Sequence, residues 1–128
     1  MERYKSWLER AKSSYEISKT AVKSDAIFYE DLCYQSQQAV EKALKALLIY
    51  YGADPDFTHN IGLLLNKIEQ FVGIPDDIKL TTNLTKYAVM TRYPGEYDDI
   101  TKKDYEESTR TAKKCLEWVE AAVKERDA

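Results

Sequence analysis

The chain has 128 residues, of which 44% are hydrophobic and 32% charged, and this balance excludes a disordered protein and fits one domain spanning residues 1–128. Four glycines and three prolines supply too few turns for a many-stranded sheet, so a mostly helical fold is favoured. The formal net charge of -3 gives no global basic field, and no DNA partner is expected.

The N-terminal residues predict a first helix from residue 2 to about residue 23. Its apolar arc contains Tyr4, Trp7, Leu8, Ala11, Tyr15, Ala21 and Val22. This N-terminus is amphipathic and charged, unlike a signal peptide. No later run approaches the roughly 18 apolar residues of a membrane span. The sequence therefore predicts a cytoplasmic protein without a membrane partner.

A second helix is predicted from Phe28, placed on its buried stripe, to Tyr51, with Gly52 as its C-terminal stop. Its predicted polar face consists of Asp31, Gln35, Gln38, Glu41, Lys42 and Lys45. Glu41 and Lys45 have the spacing of an ion pair across one helical turn. Leu48 and Ile49 fall on that polar side, so either another helix or another chain must cover the last two turns.

Three further helices complete the predicted fold. A short one runs from Asn60 to Val72 with Thr58 as its cap, and a last one runs from Thr101, paired with Asp104, to about Arg126. Between them, residues 76–93 form a helix with two apolar stripes. One contains Leu80, Leu84, Tyr87, Ala88 and Thr91; the other contains Ile78, Val89 and Tyr93, with Thr82 between them. The predicted architecture is an all-α, up-and-down four-helix bundle with one additional short helix, and its second stripe favours a homodimer.

The cysteines and the single histidine bear on metal and cofactor chemistry. Cys33 and Cys115 each fall on an apolar helical stripe, which predicts two buried, reduced thiols. One histidine without a cluster of further ligands makes a metal site improbable. No phosphate-binding glycine loop or catalytic triad spacing is present, so no cofactor is expected.

Two positions stand out as candidate functional residues. Arg92 is flanked by apolar stripes and followed by Tyr93, Pro94 and Tyr97, a setting suited to binding phosphate. A charge–dipole contact at the helix end is the alternative explanation for Arg92. His59 lies at a helix start, where it either belongs to the site or only fixes the loop by packing.

Three elements together resemble the HEPN domain family in its small stand-alone prokaryotic form. They are QQAVEKALKALL at 37–48, THNI at 58–61 and RYP at 92–94, ahead of a final amphipathic helix. The resemblance implies a dimeric four-helix bundle, often encoded beside a minimal nucleotidyltransferase as a toxin–antitoxin pair. It also implies that many relatives cleave RNA through an arginine followed a few residues later by a histidine, in a cleft at the dimer interface.

The sequence departs from that ribonuclease pattern because no histidine follows Arg92, and Tyr97 stands where the histidine would fall. A phenol, with a reference pKa of about 10, is a poor general base at neutral pH. The leading hypothesis is therefore a homodimer that binds a nucleotide or RNA phosphate through Arg92, Tyr93, Tyr97, His59 and Lys42. It would act as a toxin-like or substrate-binding partner of a minimal nucleotidyltransferase, which, by resemblance, could attach a nucleotide to Tyr97.

Two alternatives to this hypothesis stay open. One is a metal-independent ribonuclease toxin that uses Arg92 with His59 or Tyr97. The other is a purely structural dimerisation module whose Arg92 cleft binds nothing.

Overall fold

The computed structural model describes residues 3–20, 26–93 and 95–127, and helices are the only regular secondary structure in these ranges. The long helices are α1 (Arg3–Thr20), α2 (Tyr29–Tyr50) and α6 (Lys102–Asp127). The short ones are α3 (Ile61–Ile68), α4 (Asp76–Lys79), a 3₁₀ segment (Leu80–Leu84) and α5 (Tyr87–Met90). The all-α prediction is confirmed.

Aromatic contacts at the helix ends define the topology of the bundle. The Tyr4 ring near the start of α1 lies 4.9 Å from the Tyr50 ring at the end of α2, so these helices run antiparallel. Tyr29 and Tyr105, at the starts of α2 and α6, stack at 5.7 Å. The Tyr50 hydroxyl donates to the Val123 carbonyl at 3.2 Å, so α2 and α6 run parallel. Residues 61–90 lead the chain from the end of α2 back toward the start of α6 and take the place of the fourth helix of the bundle.

The C-terminal end of α2 is covered by the chain itself. Leu48 is fully buried, and Ile49 packs partly buried against the core. Gly52 has a φ of 85°, its N–H donates to the Ile49 carbonyl, and the Ala53 N–H donates to the Leu48 carbonyl, both at 2.9 Å. This pair of bonds is a Schellman motif, and it confirms Gly52 as the predicted stop. The bundle therefore covers Leu48 without a second chain.

The prediction of one continuous helix over residues 76–93 is wrong, because this stretch consists of α4, the 3₁₀ segment and α5. Threonine hydroxyls make local backbone hydrogen bonds here. Thr81 donates to the Ile78 carbonyl at 2.7 Å, and Thr82 donates to the Lys79 carbonyl at 3.1 Å. Such bonds compete with the regular α-helical ladder. The helical path therefore tightens and ends at Met90, and Arg92 and Tyr93 lie in the turn that follows.

The predicted second apolar stripe of this stretch survives only in part. Ile78 is 2% exposed and belongs to the core, so its assignment to an outer stripe is wrong. Val89 and Tyr93 are 45% and 50% exposed, as an outer stripe requires. The difference arises because the 3₁₀ segment rotates the chain between Ile78 and Val89 away from the regular helical period.

Several helix ends differ from their predicted positions. Phe28 is the N-cap residue of α2 and is 67% exposed, so its placement on a buried stripe is wrong. Asn60, not Thr58, caps α3, because its side chain accepts the Leu63 N–H at 3.3 Å. The predicted end of the first helix at residues 21–23 lies outside the described residues.

The start of α6 and both cysteines agree with the predictions. Asp104 accepts the Thr101 N–H at 2.9 Å, and the Thr101 hydroxyl accepts the Asp104 N–H at 3.2 Å, which is a reciprocal capping box. Cys33 and Cys115 are free and buried. Burial raises the pKa of Cys115 to about 12, so this thiol is protonated at neutral pH. Among the described helices, none has the length and apolar character needed to cross a bilayer.

Candidate functional site

A buried polar cluster lies along α2 and is completed by His59. We call Gln37, Glu41, Lys45 and His59 the Glu41 cluster. The Glu41 carboxylate accepts from Gln37 Nε2 at 3.2 Å and from Lys45 Nζ at 3.4 Å, and His59 Nδ1 lies 2.7 Å from it. All three α2 members are buried. One carboxylate therefore joins α2 to the loop that precedes α3.

The predicted pair between Glu41 and Lys45 is confirmed, but its placement on a solvent-facing side of α2 is wrong. The Lys45 ammonium lies 5.6 Å from the centre of the Trp7 ring on α1, while the loop carrying His59 covers Glu41. A charge removed from water needs an opposite charge and hydrogen-bond partners. Glu41 and Lys45 supply these to each other, and the Trp7 ring adds a cation–π contact.

His59 is held at one ring nitrogen and open at its other edge. Its side chain is 55% exposed although Nδ1 contacts the buried Glu41 carboxylate. The carboxylate favours the tautomer that carries the proton on Nδ1, which leaves a lone pair on Nε2. An imidazole oriented in this way by a carboxylate can accept a proton at Nε2. His59 therefore fixes the loop against α2 while more than half of its side chain stays exposed.

Arg92 and Tyr93 lie on the surface in the turn after α5. The Arg92 N–H donates to the Val89 carbonyl at 3.0 Å, which closes the turn, and the Arg92 side chain is exposed. Within residues 3–20, 26–93 and 95–127, no ion pair engages the guanidinium. Pro94, the third residue of the RYP element, lies outside the described residues. The positive charge of Arg92 is thus available to a ligand or to another chain.

Tyr97 lines a surface groove that Arg92 does not line. Tyr97 is half-exposed and lines a groove of about 540 Å³ together with Phe28 and Tyr29, and neither Arg92 nor Tyr93 lines it. Over the described parts of the chain, no ion pair joins Arg92 to another element. The predicted placement of Tyr97 in one site with Arg92 stays a prediction.

Lys42 has a partner within the bundle. Its Nζ donates to the Ser14 hydroxyl at 2.9 Å and so ties α2 to α1. Burial lowers the pKa of Lys42, and the neighbouring Glu41 charge partly opposes that effect. The ammonium of Lys42 therefore already has a hydrogen-bond partner within the chain. The role of Lys42 in ligand binding stays a prediction.

Sequence reasoning missed Glu41 as the partner of His59. The available signal was the spacing of Gln37, Glu41 and Lys45, which lie one helical turn apart and therefore share one face of α2. In the described part of the chain, no group of three or more His, Cys, Asp or Glu side chains has the arrangement of a metal site.

The fold is a small all-α bundle. A buried polar cluster lies along its second helix, and an exposed arginine precedes its last helix. A model of the HEPN domain matches residues 4–122. The chain belongs to the HEPN domain family.

Individual relatives match over nearly the whole chain. "Putative toxin MJ1304" of Methanocaldococcus jannaschii is 32% identical over 140 aligned positions, which cover 95% of this chain and 89% of that protein. The crystal structure of TT1696 from Thermus thermophilus superposes with a TM-score of 0.82 at 30% identity, covering 94% of this chain and 98% of that one. That of ST0689, an archaeal HEPN homologue, gives a TM-score of 0.75 at 30% identity, covering 96% and 99%.

The Glu41 cluster predicts a strong and asymmetric effect on stability. Replacing Glu41 with leucine should lower the free energy of unfolding by about 3 to 5 kcal/mol, because the Lys45 ammonium then stays buried without its carboxylate. The double variant Glu41→Leu/Lys45→Met should lose less than Glu41→Leu alone. Urea unfolding followed by circular dichroism measures both.

A matched control is Glu16→Leu, since Glu16 pairs with Lys19 on the surface and its loss should leave the unfolding midpoint nearly unchanged. An unchanged midpoint for Glu41→Leu would contradict the assigned role of the cluster.

Proposed function

We propose that this chain is a toxin-like HEPN protein that acts as a homodimer and binds the phosphate of a nucleotide or RNA through Arg92. The observation that carries the proposal is the exposed Arg92 side chain, which has no ion-pair partner among the described residues and is followed in the chain by the half-exposed Tyr93. Guanidinium groups bind phosphate in a bidentate manner, and exposed aromatic rings stack on bases. Similarity to a protein described as a toxin supports the toxin-like role.

Exposed apolar side chains next to Arg92 support the homodimer. Val89 and Tyr93 are large side chains that the bundle leaves about half uncovered, just before and within the turn that carries Arg92. Neighbouring apolar surface of this kind is typical of subunit contacts. A contact through Val89 and Tyr93 places Arg92 at the edge of the interface, where two copies form one cleft.

A metal-independent ribonuclease is the second candidate function, and the contact between His59 and Glu41 favours it. An imidazole oriented by a carboxylate is a suitable acceptor for the 2'-hydroxyl proton of RNA. Arg92 would stabilise the phosphate charge that develops in the reaction. This function requires the dimer to bring His59 of one subunit to Arg92 of the other.

The proposed protein partner is a minimal nucleotidyltransferase. Tyr97 supports this assignment, because it is half-exposed and lines the groove together with Phe28 and Tyr29. A transferase can therefore approach this side chain from the surface of the folded bundle. Attachment of a nucleotide there adds negative charge to a segment that already carries Asp98 and Asp99.

Replacing Arg92 with alanine should weaken nucleotide binding by about tenfold, the loss expected for one charge-assisted hydrogen-bonding group. Isothermal titration calorimetry with AMP and with a short RNA measures this change. Arg10→Ala is the control, because Arg10 is an exposed arginine on α1 and its loss should leave binding unchanged.

The same preparations distinguish the other functions. RNA cleavage that requires both His59 and Arg92 identifies the ribonuclease. Absence of both cleavage and binding leaves the structural dimerisation module.

The homodimer predicts a light-scattering mass of twice the 14.8 kDa chain at micromolar concentration. Val89→Lys should produce monomers, because it places a charge in the apolar contact. Ile17→Lys, which alters an equally exposed apolar side chain on α1, should stay dimeric. A monomeric wild type removes the dimer.

Co-expression with a minimal nucleotidyltransferase from the same genome should add nucleotidyl mass to Tyr97, as read by tandem mass spectrometry of the purified chain. Tyr97→Phe should abolish the added mass, because it lacks the accepting oxygen, and Tyr93→Phe should retain it. An unmodified wild-type chain contradicts this use of Tyr97.

A further inference from the structure

A second positively charged site lies on α6, away from the Arg92 turn. A groove of about 390 Å³ separates the 3₁₀ segment and α5 from α6, and we call it the α6 groove. Lys86 lines it on the α5 side, and Arg110 and Lys114 line it on the α6 side. Arg110 and Lys114 are four residues apart and therefore lie on the same face of the helix. Three cationic side chains thus border one small volume.

These three cations have no ion-pair partner within the part of the chain that the structure describes. No ion pair there involves Lys86, Arg110 or Lys114. By contrast, the neighbouring Lys113 faces Glu117, with Nζ 4.0 Å from the carboxylate, and does not line the groove. One face of α6 therefore carries Lys113, which pairs with Glu117. Another face carries Arg110 and Lys114, which have no ion pair among the described residues.

The base of the groove is neutral and partly polar. Lys86 Nζ lies 5.3 Å from the centre of the Tyr87 ring, a buried side chain that lines the groove. Burial raises the pKa of Tyr87 to about 12, so its phenol adds no negative charge at neutral pH. Asn83 and Thr111 also line the groove and supply an amide and a hydroxyl. These groups can donate hydrogen bonds to an anion held by the cations.

Two carboxylates line the same groove, and they differ in how far they oppose an anion. Asp104 already accepts the N–H and the hydroxyl of Thr101, at 2.9 Å and 3.0 Å. The backbone hydrogen bond from Thr101 is the main cause that lowers the pKa of Asp104, and the nearby Lys86 charge lowers it further, so Asp104 opposes part of the Lys86 charge. Glu107 lines the groove as well, and it is the acidic group that acts most directly against an anionic ligand. The cations still outnumber the carboxylates.

We propose that the α6 groove binds a di- or triphosphate group, such as that of a nucleoside triphosphate or of inorganic pyrophosphate. The volume lies in the range of small-molecule sites. Three cations on two facing elements match an anion that carries several charges along its length better than they match a single phosphate. The site is complete in one chain and does not include Arg92, so it depends neither on the dimer nor on the proposed Arg92 cleft.

Calorimetric titration of the full-length chain with pyrophosphate and with ATP tests this site. Lys86→Gln and Arg110→Gln should each weaken binding by about tenfold, because each removes one charge-assisted contact. Lys113→Gln should leave the affinity unchanged. Glu107→Gln should tighten binding, since it removes the opposing carboxylate, and added salt should weaken it. Unchanged urea unfolding midpoints exclude misfolding as the cause.

The two ligands separate the possible sources of the phosphates. Binding of both, or of pyrophosphate alone, identifies the phosphate chain as the recognised group, and binding of ATP alone identifies a nucleotide. Absence of both overturns the proposal, as does equal affinity in wild type, Lys86→Gln and Arg110→Gln. If binding is lost in Arg92→Ala and retained in Arg110→Gln, the phosphates bind in the Arg92 cleft. That result rejects the α6 groove and leaves the proposed role of Arg92 in place.

Discussion

The buried carboxylate of Glu41 is the interaction around which the candidate site is organised. It receives the Gln37 amide, the Lys45 ammonium and the His59 ring at distances between 2.7 and 3.4 Å. A buried carboxylate without these partners would cost several kcal/mol, so the loop that carries His59 is held against α2. The position of α3 depends on that loop, because α3 begins two residues after His59.

The irregular return path from α3 to α5 has direct consequences for the surface. The Ile61 N–H donates to the Thr85 hydroxyl at 3.3 Å, which ties the start of α3 to the chain just before α5. The last helical segment before this surface, α5, ends at Met90. Arg92 therefore leaves the bundle in a turn, where its guanidinium is open to solvent. A continuous helix would have carried Arg92 along a helical face instead.

The two proposed anion sites differ in what they require. The Arg92 site has one cation per chain and exposed aromatic surface, so it depends on a second subunit to become a cleft. The α6 groove has three cations from two elements of one chain and a neutral base under Lys86. A chain with a net charge of -3 can bind anions in both ways, because local arrangement sets the potential that a ligand meets.

Much of the fold was predictable from local pattern, and the candidate site was less so. Periodicity placed α1, α2 and α6, Gly52 marked the end of α2, and Thr101 with Asp104 marked the start of α6, because caps and amphipathic stripes depend on near neighbours in sequence. The resemblance of three short elements predicted the family, and a family model over residues 4–122 confirms it.

Tertiary structure alone decided which polar residues are buried. The same sequence stripe that predicts a solvent-facing Glu41 and Lys45 becomes an interior surface once α1 and the His59 loop pack over it. Likewise, Lys86 and Arg110 are 24 positions apart and share a groove only because the 3₁₀ segment before Lys86 packs against α6. The sequence thus determined the helices and their caps, which follow from local interactions. Packing between distant segments determined the Glu41 cluster and the grooves, because burial and charge proximity depend on contacts that helical periodicity does not encode.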